Sequence, residues 1–431
     1  LKGVFALKAN ESVKNYESER RMYANYVLRG IKKLCKEIGP RGSGTEQEYA
    51  AQQKMAEDLK ESCDEVKIEE FDLHPKAFMG WVQLVVVCAV IAVVLLFLTH
   101  FLPALATVFL AVGVGLIAVA IFFVITEFLF YKETLDVFTP KAKSHNVIAV
   151  RKASGEAKRR IIFSGHADSA PEWRFTYWGG PKLLVPVIAC GFLGLLVTAV
   201  FDVISLVMVL GGANPAENRT IFVFSIISVC FTPIFLFCLL FYDPKRTVEG
   251  ANDDLTGCFC SMAVPRFLND HNIRFENTEV WVVCTGSEEA GLRGAKAFCK
   301  AHAEEIKNDG VETVFFGLDT VRDFDFMAVY NKDMTGMVKN DAQVSELIRA
   351  GGALAGYDLP FKTVSLGSTD AAAISQAGLK GASFAAMDPS PARYYHTRLD
   401  TADNLDLKSI EAGVDIVLNT VFLFDEKGLN V

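Results

Sequence analysis

Four long stretches without charge decide what this chain can fold into. Residues 81–98 (WVQLVVVCAVIAVVLLFL), 103–126 and 221–242 contain no charged side chain, and 183–210 is interrupted only by Asp202. Each run is close to, or longer than, the roughly 20 apolar residues that cross a bilayer core as a helix, and all exceed the roughly 10 to 14 of a buried core helix. They fall in two pairs, so four membrane spans in two hairpins are expected. Pro186, Pro233 and the internal glycines do not oppose this, because helix breakers are tolerated where neighbouring helices re-satisfy the freed backbone groups.

The flanks of these runs carry an orientation signal. Lys76, Lys132, Lys141, Lys143, Arg174, Lys182, Lys245 and Arg246 lie on the side of the polar remainder, whereas the two hairpin tips offer only Arg219. The positive-inside rule therefore puts the polar domain in the cytoplasm. Nothing before Trp81 has the apolar core of a cleaved signal peptide. Cys88, Cys190, Cys230 and Cys238 sit inside the spans and the other cysteines show no disulfide spacing, which agrees with reduced thiols. A net charge of -8 gives no reason to expect nucleic acid or an anionic-lipid patch as a partner.

With the hairpins set aside, the remainder alternates strand and helix patterns. Tyr16, Tyr23, Val27, Ile31, Leu34 and Ile38 recur at helical spacing up to the stop Gly39-Pro40. Thr45 and Glu48 form a capping box at the head of a second helix. Strand-like runs follow at 66–73, 146–150, 160–164, 279–284, 311–318, 326–330, 361–366 and 382–386, and helix-like runs at 291–306, 342–355, 371–377 and 407–424. The expected fold class is α/β, a largely parallel or mixed sheet flanked by helices, plus four transmembrane helices in two inserted hairpins. The expected boundaries are a polar domain of 1–76, 132–176 and 243–431, with hairpins at 77–131 and 177–242.

The chemistry gathers at four short motifs, each where a strand or loop ends. Ser-Gly-His166-Ala-Asp168-Ser follows an apolar strand, and Asp168 can fix one ring nitrogen of His166 while the other faces outward. Gly250-Ala-Asn-Asp253-Asp254 opens a helix, where a carboxylate is often only a cap. Thr285-Gly-Ser-Glu288-Glu289-Ala-Gly delivers two glutamates to the edge of the sheet, the place where open α/β folds keep their ligand crevice. Tyr394-Tyr395-His396-Thr-Arg-Leu-Asp400-Thr places a second histidine near an aspartate, and Asp319 closes the apolar strand 314–318. Each motif alone suits a bland role. Together they place two of only seven histidines beside aspartates and send carboxylates to successive strand ends. Histidine and carboxylate ligands suit zinc or a similar cation, and two such ions need a bridging carboxylate. One glutamate of the pair can then bind metal while its neighbour stays free to take a proton.

The order His-x-Asp, Gly-x-Asn-Asp-Asp, Ser-Glu-Glu-x-Gly, Leu-Asp, Ser368-Thr-Asp370 and Tyr-His-Thr-x-x-Asp-Thr resembles the M28 family of zinc aminopeptidases and carboxypeptidases. The resemblance covers nearly all of the polar domain. It implies two Zn2+ per chain, with His166 and Asp319 on one, Glu289 and His396 on the other, and Asp253 bridging. It further implies Glu288 as general base, Asp168 as the partner orienting His166, and Tyr395 as a donor to the developing oxyanion. The hairpins depart from soluble members, one of them lying between the first two metal motifs.

The expected activity is hydrolysis of peptide bonds by a membrane-embedded metallopeptidase, an aminopeptidase ahead of a carboxypeptidase or dipeptidase. A carboxylate-reading enzyme needs a basic clamp, for which Arg293, Arg322, Arg393 and Arg398 are the candidates. An amidase on lipid-linked amides, a single-zinc acyltransferase similar to the glutaminyl cyclases, and a non-catalytic membrane scaffold are the alternatives. The expected partners are a peptide substrate of hydrophobic or membrane-derived character and membrane lipid, with no nucleic acid and homo-oligomerisation left open. The second hairpin leaves soon after His166 and returns just before Asp253, so a site close to the bilayer surface is expected.

Overall fold

The computed structural model describes residues 8–431, and within them the chain divides into two compact units. One comprises residues up to Pro75, Lys141–Glu172 and Lys245–Val431; the other comprises Lys76–Pro140 and Trp173–Pro244.

The first, polar unit is built on a mixed sheet. Its strands are β1 (Glu65–Leu73), β2 (Ala142–Arg151), β3 (Arg159–His166), β4 (Thr278–Thr285), β5 (Glu312–Val321), β6 (Met327–Asp333), β7 (Val338–Lys339), β8 (Phe361–Thr363) and β9 (Gly381–Ala386). In space the order is β1-β2-β4-β3-β5-β9-β6-β8, with β7 beside β6. The centre, β4-β3-β5-β9, is parallel, and β2 joins β4 antiparallel.

Alternation along the central strands explains the two layers that cover them. Ile161, Phe163, Val280, Val282, Val314, Phe316 and Leu318 face one side. There they meet helices α1 (Tyr16–Glu37), α2 (Glu46–Leu59), α3 (Leu255–Asp270), α5 (Ala342–Leu354) and α7 (Leu407–Lys427). Ile162, Val283 and Phe315 face the other side and meet Phe298, Cys299 and Ile306 of α4 (Arg293–Asn308) and Ile374 of α6 (Asp370–Gln376). Strands buried on both faces read as continuous apolar runs, which is why the sequence marks them so clearly. Because β3, β4 and β5 run parallel, their carboxyl ends fall on one rim, and ligand crevices of such sheets lie there.

The second unit holds four helices long and apolar enough to cross a membrane: Gly80–Leu98, Pro103–Leu129, Pro181–Leu210 and Arg219–Cys238. Their interior is lined by Val86, Ala89, Ala92, Val93, Ile117, Ala120, Leu195 and Phe235. Their outer faces are apolar as well, with Val108, Leu196 and Val207 exposed. A helix that is apolar all round belongs in lipid or in a large core. Small residues let the helices approach closely. A Cβ added at Gly194 would lie 2.6 Å from the Phe231 ring. Pro186 and Pro233 are both accommodated inside helices. The segment 132–140 also lies in this unit.

One glycine fixes how the polar unit closes around its rim. Gly165, one residue before the end of β3, leaves room for the first turn of α3, and a Cβ there would lie 2.4 Å from Cys258 N and 2.5 Å from Gly257 C. Both are backbone atoms that cannot step aside. Gly165→Ala is therefore expected to destabilise the polar unit by about 1–3 kcal/mol, the usual cost of overpacking. A lowered denaturation midpoint reads this. Gly317→Ala, whose Cβ meets nothing nearer than 3.5 Å, should leave the midpoint almost unchanged.

Candidate metal centre

The rim of the parallel strands assembles the site. β3 ends on His166, β4 ends at Thr285 just ahead of Glu288 and Glu289, and Asp319 lies near the end of β5. Asp253 comes from the loop before α3, and His396 from the loop before α7. The two oxygens of Asp253 face two different imidazoles. Oδ1 lies 3.1 Å from His166 Nε2, and Oδ2 lies 3.1 Å from His396 Nε2. Glu289 Oε1 is 3.2 Å from the same His396 nitrogen, and Glu288 Oε2 is 4.0 Å from His166 Nε2. One donor atom from each of His166, Asp253 and Glu289 lies within 4.8 Å of the other two.

Asp168 ties the first motif to the third. Its Oδ1 lies 3.4 Å from His166 Nδ1 and accepts the Glu288 N–H at 2.9 Å, while Oδ2 accepts the Glu289 N–H at 3.1 Å and the Ser43 hydroxyl at 2.7 Å. One buried carboxylate thus orients the histidine and holds both glutamates by their backbone. Tyr395 stacks on His396, ring centroids 3.9 Å apart.

Of the adjacent aspartates, only Asp253 faces the histidines. Asp254 accepts from Gly257 N–H as the cap of α3, and also from His166 N–H and Thr320 N–H. The cap reading therefore holds for Asp254 alone. Thr45 accepts from Glu48 N–H as a capping box requires, yet the Glu48 carboxylate leaves the helix end. It takes the Gly44 N–H at 2.7 Å, the Ser144 hydroxyl at 2.9 Å and the Ser287 N–H at 2.6 Å. Ser287 needs that support, because its φ of 54° is left-handed and it immediately precedes the glutamate pair. Thr320 (φ 48°) and His396 (φ 53°) share this conformation beside the site. Strained backbone of this kind persists where surroundings over-determine it.

Arg41 is the residue that nothing in its local sequence singles out. Fully buried, it donates to the carbonyls of Gly39, Ala167, Glu249 and Gly250, and so joins the loops bearing the first two motifs. Asp400 takes the backbone N–H groups of Asn252 and Asp253, at 2.8 and 3.1 Å, and the Asn252 side-chain amide. In the fifth motif, Asp370 accepts from Thr285, while Ser368 and Thr369 donate to Asp333. Two of the four candidate clamps are engaged by other groups. Arg398 forms a bidentate pair with buried Glu172, and Arg322 pairs with Asp323 and Asn404.

The charge balance tests whether this donor set suits a cation. Asp168, Asp253, Glu288, Glu289 and Asp319 converge, and His166 and His396 pair ionically with Asp168, Asp253, Glu288 and Glu289. Burial, with Asp253 nearby, pushes Asp319 up to about 7, and burial together with Glu289 and Asp370 pushes Glu288 well up against the pull of His166. Burial alone would lower His396, yet Glu289 and Asp253 raise it to about 10. Each shift reports unbalanced negative charge in a desolvated place. Imidazole and carboxylate donors are those of zinc sites, and the set fits one.

Residues 241–421 match the model of peptidase family M28. That span contains Asp253, Glu288, Glu289, Asp319 and His396, whereas His166 and Asp168 precede it. Among solved structures the chain is similar to an aminopeptidase from Aneurinibacillus sp. strain AM-1, at 15% identity over 95% of each chain with a TM-score of 0.55. A zinc aminopeptidase from Bacillus subtilis is similar at 15% identity, over 93% of this chain and 94% of that one, with a TM-score of 0.55. A glutaminyl cyclase from Fimbriiglobus ruber follows at 13% identity, over 93% and 95%, with a TM-score of 0.53. Identities this low speak for the fold. A search of curated sequences gives no match.

Asp400 offers a test of how Asp253 is held. In Asp400→Asn, an amide replaces a carboxylate that accepts three N–H bonds, so Asp253 should lose its fixed orientation. Zinc affinity is expected to fall about 10–100-fold, as for other outer partners of metal ligands, in competition against a chromogenic chelator, with far-ultraviolet circular dichroism unchanged.

Proposed function

We propose that this M28-type chain is a membrane-embedded zinc aminopeptidase. The observation that carries the reading is the Asp253 carboxylate set between two imidazoles, one oxygen to each at 3.1 Å. A carboxylate so placed suits a bridge between two ions, with His166 and Asp319 holding one and Glu289 and His396 the other. Bound zinc supplies Lewis acidity and lowers the pKa of water from 15.7 to about 7.

The chain's own residues do the rest. Glu288, whose backbone is fixed by Asp168, takes the proton of the attacking water and returns it to the leaving amine. Asp168 stands 3.4 Å from Nδ1 of His166, so Nε2 is the nitrogen presented to the centre. Tyr395 supplies a hydroxyl toward the developing oxyanion.

Reading of the amine end is supported by the fate of the arginines. Arg398 and Arg322 are both held by acids, and a carboxylate clamp needs a guanidinium that is not already spent. A cavity of about 580 Å³ receives Arg322 and Asp323 from the chain after β5 and Tyr394 and Leu399 from the His396 loop, together with Asp388 and Asp403. Asp323 pairs with Arg322, so Asp388 and Asp403 of the lining stand against Arg393, which favours a cationic group. The polar unit is placed on the cytoplasmic side by the lysine and arginine bias of the flanks. The substrate class is hydrophobic or membrane-released peptide, because the chain leaves for the apolar unit four residues after Asp168.

The compact cluster of His166, Asp253 and Glu289 also favours a second reading, a single-zinc acyltransferase similar to the glutaminyl cyclases. Glu288→Gln separates this from simple loss of metal. The variant should keep about two zincs per chain by elemental analysis and lose peptide hydrolysis by several orders of magnitude, the scale of a removed general base and its coupled partners. One zinc per chain at full activity would favour the acyltransferase.

The terminus is tested on a matched peptide pair. An aminopeptidase should cleave the free-amine form and leave the N-acetylated form intact, whereas cleavage of both would return the carboxylate-reading enzymes to the front.

A further inference from the structure

The apolar unit contains a second buried carboxylate that the peptidase chemistry does not use. Asp202 is wholly buried in the helix Pro181–Leu210. Thr198 and Ser205, four residues before it and three after, are wholly buried on the same face. A Cβ built on Gly113 would lie 2.9 Å from Asp202 Oδ2 and 3.8 Å from the Ala92 Cα, so the carboxylate points to where three helices meet. Ser228, on Arg219–Cys238, is also wholly buried. Counted from the tip of their shared hairpin at 1.5 Å per residue, Asp202 and Ser228 lie at matching depths of about 12 and 13 Å.

Every polar atom of this group lacks a hydrogen-bond partner: both oxygens of Asp202 and the hydroxyls of Thr198, Ser205 and Ser228. No lysine, arginine or histidine pairs with Asp202 among the described residues. His100, the histidine of this unit's hairpin tip, is engaged by the Pro215 carbonyl and the Ser225 hydroxyl. An isolated carboxylate in an apolar interior costs several kcal/mol or more and persists only with a counter-charge. A proton would neutralise Asp202 but would leave three hydroxyls orphaned. One negative charge with several neutral oxygen donors matches a hard ion of single positive charge, and the lone carboxylate disfavours a divalent one.

We propose that Asp202, with the hydroxyls of Ser205 and Ser228, binds a dehydrated monovalent metal cation of the sodium class inside the four-helix unit. The site is independent of the zinc centre and stands whether or not the polar unit is a peptidase.

The test uses the full chain in detergent at constant ionic strength, with sodium chloride replacing choline chloride from about 1 to about 300 mM. The wild-type denaturation midpoint should rise by several degrees, as binding to the folded state alone requires. Asp202→Asn should abolish the rise. Gly113→Ala keeps the carboxylate but fills the space beside it, and should abolish the rise too. Should Asp202→Asn fail to fold, Ser205→Ala and Ser228→Ala serve instead, each weakening the sodium response without altering the midpoint in choline. A wild-type midpoint indifferent to sodium, potassium and lithium would overturn the site. An equal sodium response in Asp202→Asn or Gly113→Ala would overturn it as well.

Discussion

The contact between Asp168 and the backbone of Glu288 and Glu289 is the constraint on which the site depends. It joins the end of β3 to the turn after β4, two neighbouring parallel strands whose loops would otherwise be free to part. A carboxylate is a stronger acceptor than a neutral group, and here one takes two backbone N–H groups and a hydroxyl while fully buried. The price of burying Asp168 is offset only because every oxygen finds a donor. Replace one of those donors by an apolar atom and the remaining charge becomes a liability.

The same device recurs in a ring around the centre. Glu48 accepts from Ser287 N–H, Asp400 from Asp253 N–H, and Asp254 from His166 N–H. Each outer acid holds the backbone of an inner motif, leaving the side chains of His166, Asp253 and the glutamate pair available to face the centre. The cost is a dense negative field. Burial, with Asp168 adding to it, raises Glu48 to about 8, and burial with Asp253 raises Asp400 to about 7. A bound cation relieves this field at its middle, which is why metal binding and the rigidity of the outer ring should be linked. Arg41 adds a buried cationic side chain to the ring, directed at carbonyls rather than carboxylates, so that it braces the loops.

How much of this could be read from the sequence follows from the range of each interaction. The central strands were legible because burial on both faces writes an uninterrupted apolar run, as at Ile161-Ile162-Phe163 and Val314-Phe315-Phe316. The apolar helices were legible for the same reason at greater length. The His-x-Asp pair and the double glutamate were legible because both partners sit within a few residues. Glu48 was read only halfway, since its local position satisfies a capping box while its carboxylate reaches Ser287, far along the chain. Arg41 left no signal at all: its partners are backbone carbonyls, which carry no sequence identity. Strand order, with β3 inserted between β4 and β5, likewise depends on pairings that no local window contains.

The contrast between Asp253 and Asp254 shows how an identical pair of side chains acquires two roles. Asp254 meets three backbone N–H groups, from Gly257, His166 and Thr320, and becomes part of the scaffold. Asp253 meets two imidazoles and has no backbone donor on its oxygens, so its charge remains to be satisfied from the cleft. Asp202 in the apolar unit is the limiting case of the second kind, with neither backbone donor nor imidazole. By the same physical rule, a buried carboxylate that the fold does not satisfy is one that the fold has left for a cation, and the surrounding donors decide which. Imidazoles and further carboxylates around Asp253 select a borderline divalent ion, whereas hydroxyls alone around Asp202 select a hard monovalent one.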